Sequence, residues 1–412
     1  MPFLGSPALL VSFSADGPAK IPLSMLVIFV SAKVMAEIAE RVGQPGIVGE
    51  ILAGVLVGPS VLGWLAPNEL LSTLSDLGAM FLLFRVGLAV KASELMKVGG
   101  TATLVAFSGV VVPFIMGTGI LLWWGAKTNE AIFVGASMVA TSVGITASVL
   151  SANGLLHEIS SKIILAAAVI DDVMGLLVLA VVSSLTHGKL DLLQLLLTAL
   201  AATAFTVIVA KWGTHAMNHV VPRVDRTWKV AESRFVMALA LLFALSLLAV
   251  YTGVAAIVGA FLAGLALGES TGERERDLAQ GVAEFLVPFF LAGIGLHVNL
   301  SSFTHISAAV LALVILAAAI VSKFIGCGLG ALGLGKVDAL RVGVGMIPRG
   351  EVGMVVAQLG LGFGILSQSS YGVVVFMSAA STIVAPPLIK VAYKSLLTTG
   401  PRAAEEAVFR LE

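Results

Sequence analysis

Two adjacent carboxylates, Asp171 and Asp172, interrupt the apolar run AAAVIDDVMGLLVL at 166–179. If the stretch 158–186 around them spans a bilayer, both acids lie near its middle. An ionisable group at that depth costs about 3 kcal/mol or more unless paired or hydrated, so the pair marks an ion or proton pathway. Neighbouring helical residues project roughly 100° apart. The two acids therefore cannot share one ligand as a facing dyad does. One can face a cavity while the other faces a neighbouring helix. The alternative, an Asp pair capping a helix end in water, conflicts with the apolar residues on both sides.

Other polar residues interrupt apolar runs in ways that suit a small cation. VATSVGITAS at 139–148 carries Thr141, Ser142, Gly144 and Thr146, and RGEVGM at 349–354 follows Pro348. Proline removes a backbone donor and glycine tolerates unwound geometry. Both segments are expected to be helix breaks whose free carbonyls can ligate a cation beside helix ends that carry partial charge. Thr141 and Ser142 add hard oxygen ligands; in an unbroken helix the same hydroxyls would bond back to the backbone. Lys323, in AAAIVSKFIGCG, needs a counter-charge if it is buried. Asp171, Asp172 and Glu351 are the candidates, unless the ammonium reaches the interface instead. Arg349 and Glu351 stand two residues apart and read as supporting charges that pair with each other or across helices. Arg85, in FLLFRVGL, is another charge in an apolar run, with Glu50 its suggested partner. The six histidines (157, 187, 215, 219, 297 and 305) show no metal-ligand spacing with Cys or carboxylates, so no metal beyond a transported cation is assigned. No Gly-rich phosphate loop with Lys-Ser/Thr supports nucleotide-driven work, and no cofactor is expected.

These residues need membrane helices to position them. The chain has 412 residues, 58% hydrophobic and 12% charged, which reads as an all-α polytopic membrane protein. A net charge of zero implies no nucleic-acid partner. The single cysteine, Cys327, lies in an apolar segment and reads as a packing residue. Apolar runs give thirteen spans: 21–41, 46–64, 70–90, 98–125, 129–152, 158–186, 190–218, 230–251, 253–270, 277–297, 304–332, 338–363 and 366–395. The first twenty residues read as a short leader. With the N-terminus outside, Lys and Arg gather in the inner loops, leaving only Lys20, Lys127 and Lys189 on the outer side. That asymmetry predicts an outside N-terminus and a cytoplasmic C-terminus.

An internal repeat is legible. IVGEILAGVLVG at 47–58 and IVGAFLAGLALG at 257–268 share IVGxxLAGxxxG at an offset of 210; FRVGLAV at 84–90 echoes AGIGLHV at 292–298 at an offset of 208. Seven spans separate the copies, so they face opposite ways. This predicts a first inverted repeat over 1–186, a linking span within 187–229, a second repeat over 230–395 and a short cytoplasmic tail at 396–412. Inverted repeats with broken helices at the midplane are typical of secondary transporters.

With GQPGIVGEILAGVLVGPSVLG at 43–63, TSVGIT at 141–146, the Asp171–Asp172 pair, Lys323 and PRGEVG at 348–353, the chain resembles the bacterial monovalent cation:proton antiporters, in their electrogenic Nap/Kef-like branch. The resemblance covers nearly the whole chain. It implies a homodimer in the cell (inner) membrane, a dimerisation domain, and a mobile six-helix core bearing two crossed broken helices. It implies elevator-type alternating access that exchanges Na⁺ or Li⁺ for H⁺. It makes Asp172 the main ion- and proton-binding carboxylate and Asp171 the partner of Lys323. Kef-type proteins add a cytoplasmic nucleotide-binding domain, which the short stretch after residue 395 does not predict here. K⁺/H⁺ exchange is the alternative within this class. An intramembrane aspartyl protease needs its two acids on facing helices, each in its own motif, and no GxGD stretch exists. A passive channel would not need an inverted repeat around a buried titratable pair. The reading is a transporter, not an enzyme.

Overall fold

A computed structural model describes residues 19–187, 192–227, 232–298 and 306–397. The leader, most of the tail, His305 and the side chain of Glu351 lie outside what it describes. The first half runs through α1 (Lys20–Arg41), α2 (Gly46–Val57), α3 (Glu69–Ala89), the short α4 (Ala92–Lys97), α5 (Gly99–Trp123), α6 (Thr128–Ser137), α7 (Val143–Ala152) and α8 (Ile159–His187). Helix α9 (Leu192–Thr227) links it to α10 (Ser233–Tyr251), α11 (Ala256–Leu267), α12 (Glu273–Leu296), α13 (Ile306–Gly330), α14 (Lys336–Gly345), α15 (Gly350–Gly362), α16 (Gln368–Ala392) and a last turn, α17 (Lys394–Leu397). Each of the thirteen predicted spans is one helix, except the fifth (α6 and α7) and the twelfth (α14 and α15), which are broken. Eight of the described helices are long and apolar enough to cross a membrane.

The repeated motif has a packing reason. A side chain on Gly49 would strike the backbone of Met35 in α1, and one on Gly259 the backbone of Leu245 in α10. Gly54 meets the backbone of Ala292 in α12, while Gly264 meets that of Phe84 in α3. Gly87 and Gly295, themselves related by the offset of 208, complete the two contacts from the other side. The pairs α2–α12 and α11–α3 are thus the same close crossing, seen twice. Such small-residue contacts bring membrane helices together by van der Waals packing, where lipid offers no hydrophobic gain. The turns that precede the motif also correspond: Gly43 and Gly253 both adopt left-handed backbone, at φ +77° and +86°, which glycine adopts without steric cost.

The helices sort into two layers. Helices α1, α2, α3, α10, α11 and α12 pack on one another as a scaffold, and α5 to α8 with α13 to α16 form a core. Helix α9 runs along α11 and also meets α8. The layers touch through α3 against α7 and α2 against α16.

Candidate functional site

The site is built where the two broken helices cross. The chain unwinds at 138–142 and again at 346–349. The first break begins close to where the hydroxyl-rich segment does, but Gly144 and Thr146 lie inside α7, with helical backbone. The second break precedes Gly350, with Pro348 inside it, and RGEVGM mostly opens α15. The two breaks are joined by the Ser142 amide, which donates to the Pro348 carbonyl at 2.8 Å. The Thr146 hydroxyl donates to the Gly345 carbonyl at the end of α14, at 2.6 Å.

A buried cation serves the freed carbonyls. Arg349 is fully buried. Its Nη1 donates to the Val139 and Ala140 carbonyls, both at 3.3 Å, and Nη2 to the Ala319 carbonyl at 2.9 Å. The Ser381 hydroxyl accepts from its backbone amide at 3.2 Å. The guanidinium therefore sits at the C-terminal end of α6, where helix carbonyls concentrate negative partial charge. Arg349 was expected to pair with Glu351 or across helices; the Glu351 side chain lies outside the described residues, and the described guanidinium bonds go to backbone carbonyls of the first break and of α13.

Asp171 and Lys323 meet across the two halves. The Lys323 Nζ donates to Asp171 Oδ1 at 2.9 Å, and neither side chain is exposed to solvent. Lys323 thus reaches into the core from α13 and does not turn to the interface. Among the described residues, Asp171 Oδ2 accepts no hydrogen bond. Asp172 follows on the same helix, and both acids line one cavity. Ala140 of the first break lines it too. Next to Ala140, Thr141 is 3% exposed, and its hydroxyl has no hydrogen-bond partner among the described residues. It does not bond back to the helix. An oxygen buried without a partner is costly, and beside a carboxylate-lined cavity it is suited to ligate a cation. Ser142 is fully buried beside it.

The cavity, of about 710 Å³, is lined by residues that run from one end of the bundle to the two acids. Its wall includes the N-terminal turns of α3 (Ser72, Ser75, Asp76), the C-terminal end of α12 (Gly293, His297) and Tyr371 near the start of α16. The end of α2 shares a face with that of α12, since the Ser60 hydroxyl past α2 donates to the Val298 carbonyl past α12. The opposite end is closed by contacts between scaffold and core. Arg85 Nη2 donates to Ser151 Oγ at 3.2 Å, and Lys390 Nζ to the Gly43 carbonyl at 3.0 Å. Glu50 is not the partner of Arg85: it pairs with Lys33 at 2.8 Å. Helix α2 lies along α1, so Glu50 meets a lysine there, while Arg85 extends from α3 to the core helix α7. The polar wall of the cavity was missed in the sequence, although carrying 72–76 forward by 208 onto 280–284, another stretch with charge in a span, would have signalled it.

The chain matches the family model described as sodium/hydrogen exchanger, transmembrane, over residues 26–394. It is 34% identical to the high-affinity Na(+)/H(+) antiporter NhaS3 of Synechocystis, across 91% of this chain and 90% of that one. It is 31% identical to the Na(+)/H(+)-K(+) antiporter GerN of Bacillus cereus, across 88% and 94%. Its fold matches the sodium proton antiporter MjNhaP1 of Methanocaldococcus jannaschii with a TM-score of 0.71 at 16% identity, covering 92% and 97% of the two chains. That likeness is one of fold.

Proposed function

This chain belongs to the sodium/hydrogen exchanger family, and from that membership we propose that it is a secondary antiporter exchanging Na⁺ or Li⁺ for H⁺. The observation that supports the reading is that Asp172 lines one cavity together with Asp171, which is ion-paired to Lys323, while Arg85 and Ser151 join scaffold to core at the far end. Asp172 binds either the cation or a proton. Binding one expels the other, and only an occupied site crosses. Thr141 and Ser142 supply neutral oxygens, Arg349 holds the break that presents them, and Glu351 is a supporting charge. The cycle is elevator-like: the core carries the site past the scaffold, closing one cavity and opening its mirror image.

Exchange is electrogenic in this reading. Cation binding draws Asp171 from Lys323. A buried ammonium without its counter-charge is strongly unfavourable, and releasing its proton removes that charge. Two protons then leave for each Na⁺ bound. The Lys and Arg distribution orients the protein in the cell membrane with the N-terminus outside, so the present cavity faces outward. The protein works as a homodimer. K⁺ is the second cation considered, because GerN, at 31% identity, is named for K⁺ as well as Na⁺.

The test is a Na⁺, Li⁺ and K⁺ panel on purified protein in proteoliposomes, reading internal pH. Na⁺ and Li⁺ gradients should drive proton counterflow, and Asp172→Asn, which keeps the shape but cannot ionise, should abolish it in a folded protein. Robust Na⁺-dependent proton flux in that variant would remove Asp172 from its role; counterflow driven by K⁺ alone would reassign the cation.

A further inference from the structure

The scaffold wall of the cavity carries a carboxylate that the carrier site does not use. Asp76 lies in α3 with Ser75 beside it and Ser72 one turn earlier, and all three line the cavity. Residues three and four apart share a helix face, so these exposed and half-buried residues form a polar stripe on a helix whose buried residues are all apolar or glycine. His297 stands on the same wall. Its Nδ1 lies 2.8 Å from the Gly293 carbonyl. A carbonyl only accepts, so Nδ1 is the donor.

The repeat gives this carboxylate a counterpart. The offset of 208 that carries 84–90 onto 292–298 also carries Asp76 onto Glu284 and Ser72 onto Gln280. Glu284 is exposed on α12 and accepts from Gln280 Nε2 at 2.7 Å. Arg85 of α3 bonds Ser151 at the far end. Because the repeats are inverted, Asp76 and Glu284 stand at mirrored depths from the two faces. The two carboxylates stand on α3 and α12, which pack on one another.

We propose that Asp76 and Glu284 are matched entry sites for the transported monovalent cation, one for each face of the membrane. Asp76, with the Ser72 and Ser75 hydroxyls, collects the cation from the face to which the cavity now opens. Glu284 does so from the other face once the core has moved. Both belong to the scaffold and stay in place while Asp171 and Asp172 travel with the core. A fixed carboxylate on the wall of a narrow cavity concentrates cations there and raises their rate of arrival. It does so without being one of the ligands that are carried. The proposal rests on the alternating-access reading above.

The experiment measures the apparent KM for Na⁺ separately at each face, in vesicles whose orientation is set by protease access to the loops. Asp76→Asn should raise KM about fivefold or more at the cavity face at low ionic strength, leaving kcat and the KM at the other face unchanged. Glu284→Gln should do the reverse. A variant that shifts both faces equally, lowers kcat alone, or changes neither KM overturns the proposal. Sodium NMR line broadening on purified protein separates this from the function itself. With the deep site removed by Asp172→Asn, the remaining weak broadening should fall when Asp76→Asn is added, and unchanged broadening also overturns the entry site. If broadening follows Asp76 while wild-type vesicles show no Na⁺-linked proton flux, the antiport reading fails and the cation site at Asp76 stands.

Discussion

Lys323 and Asp171 define what a single residue does here. The pair is sealed from solvent at 2.9 Å, so either charge left alone would be buried without compensation. Breaking such a pair from one side costs about 3–5 kcal/mol, whereas replacing both members by neutral groups is far milder. Lys323→Ala should therefore lower the thermal unfolding temperature in detergent substantially, and Asp171→Asn combined with Lys323→Gln should recover most of that loss. If the double variant is no more stable than Lys323→Ala, the pair is not the source of the penalty. Thr141 tests the neighbouring ligand set. Thr141→Ala should weaken cation affinity more than maximal rate, and an unchanged KM for Na⁺ would mean that its hydroxyl ligates nothing. Much of this was legible, since an acid or ammonium in an apolar run stands out. Choosing Asp171 from the three carboxylates open to Lys323 came only with the family resemblance, because the register of α8 against α13 that decides it is not encoded by any spacing within one helix. Arg85 was matched to Glu50 in error for the same reason: its partner is a hydroxyl 66 positions away on another layer.

Among the elements, breaks and crossings carry the information. Thr, Ser, Gly and Pro marked both breaks, but unwinding stops at Ser142 in the first segment because the hydrogen bond of Thr146 to α14 is compatible with a helical backbone. The LAG motif marks a closer constraint. In Gly54→Ala the new methyl meets the backbone of Ala292, which cannot swing aside as a side chain can. Overpacking of this kind costs roughly 1–3 kcal/mol, so Gly54→Ala and its counterpart Gly264→Ala should both lower the melting temperature. Gly119→Ala, with nothing within 4 Å of the added carbon, should not. Equal behaviour of all three would sever the motif from the crossing. At the surface, the Glu94 carboxylate is held below its usual value of 4.5 chiefly by a hydrogen bond from Lys162. A lowered carboxylate pKa contributes stability that is complete above the ordinary value and is lost as pH falls through the lowered one. Helix α4 should then detach from α8 only below pH 4.5, and Glu94→Gln should reproduce the release at pH 7, read as faster proteolysis of α4 or loss of its amide protection.

On the scale of the whole molecule, the two layers and the cavity between them follow from the inverted repeat only after one conformation has been chosen. The repeat makes the two faces equivalent in sequence, and the structure is not symmetric: it is open on the Asp76 side and shut where Arg85 meets Ser151 and Lys390 meets Gly43. A sequence built from two related halves describes both states equally, so the state itself was not legible. The closing contacts predict what must move. Arg85 and Gly43 belong to the scaffold and Ser151 and Lys390 to the core, so a core that slides past the scaffold has to break both. The only cysteine, Cys327, is fully buried, which leaves the wild type a quiet background for thiol chemistry. In the double variant Arg85→Cys with Ser151→Cys, a short reversible thiol crosslinker should lock the far end shut. Exchange should stop on crosslinking and return with reductant, while Na⁺ binding from the open side persists throughout. Either single variant treated in the same way should keep exchanging. If crosslinked protein exchanges at the uncrosslinked rate, α3 and α7 do not separate during transport, and the site must reach the opposite face without movement of the core along the scaffold.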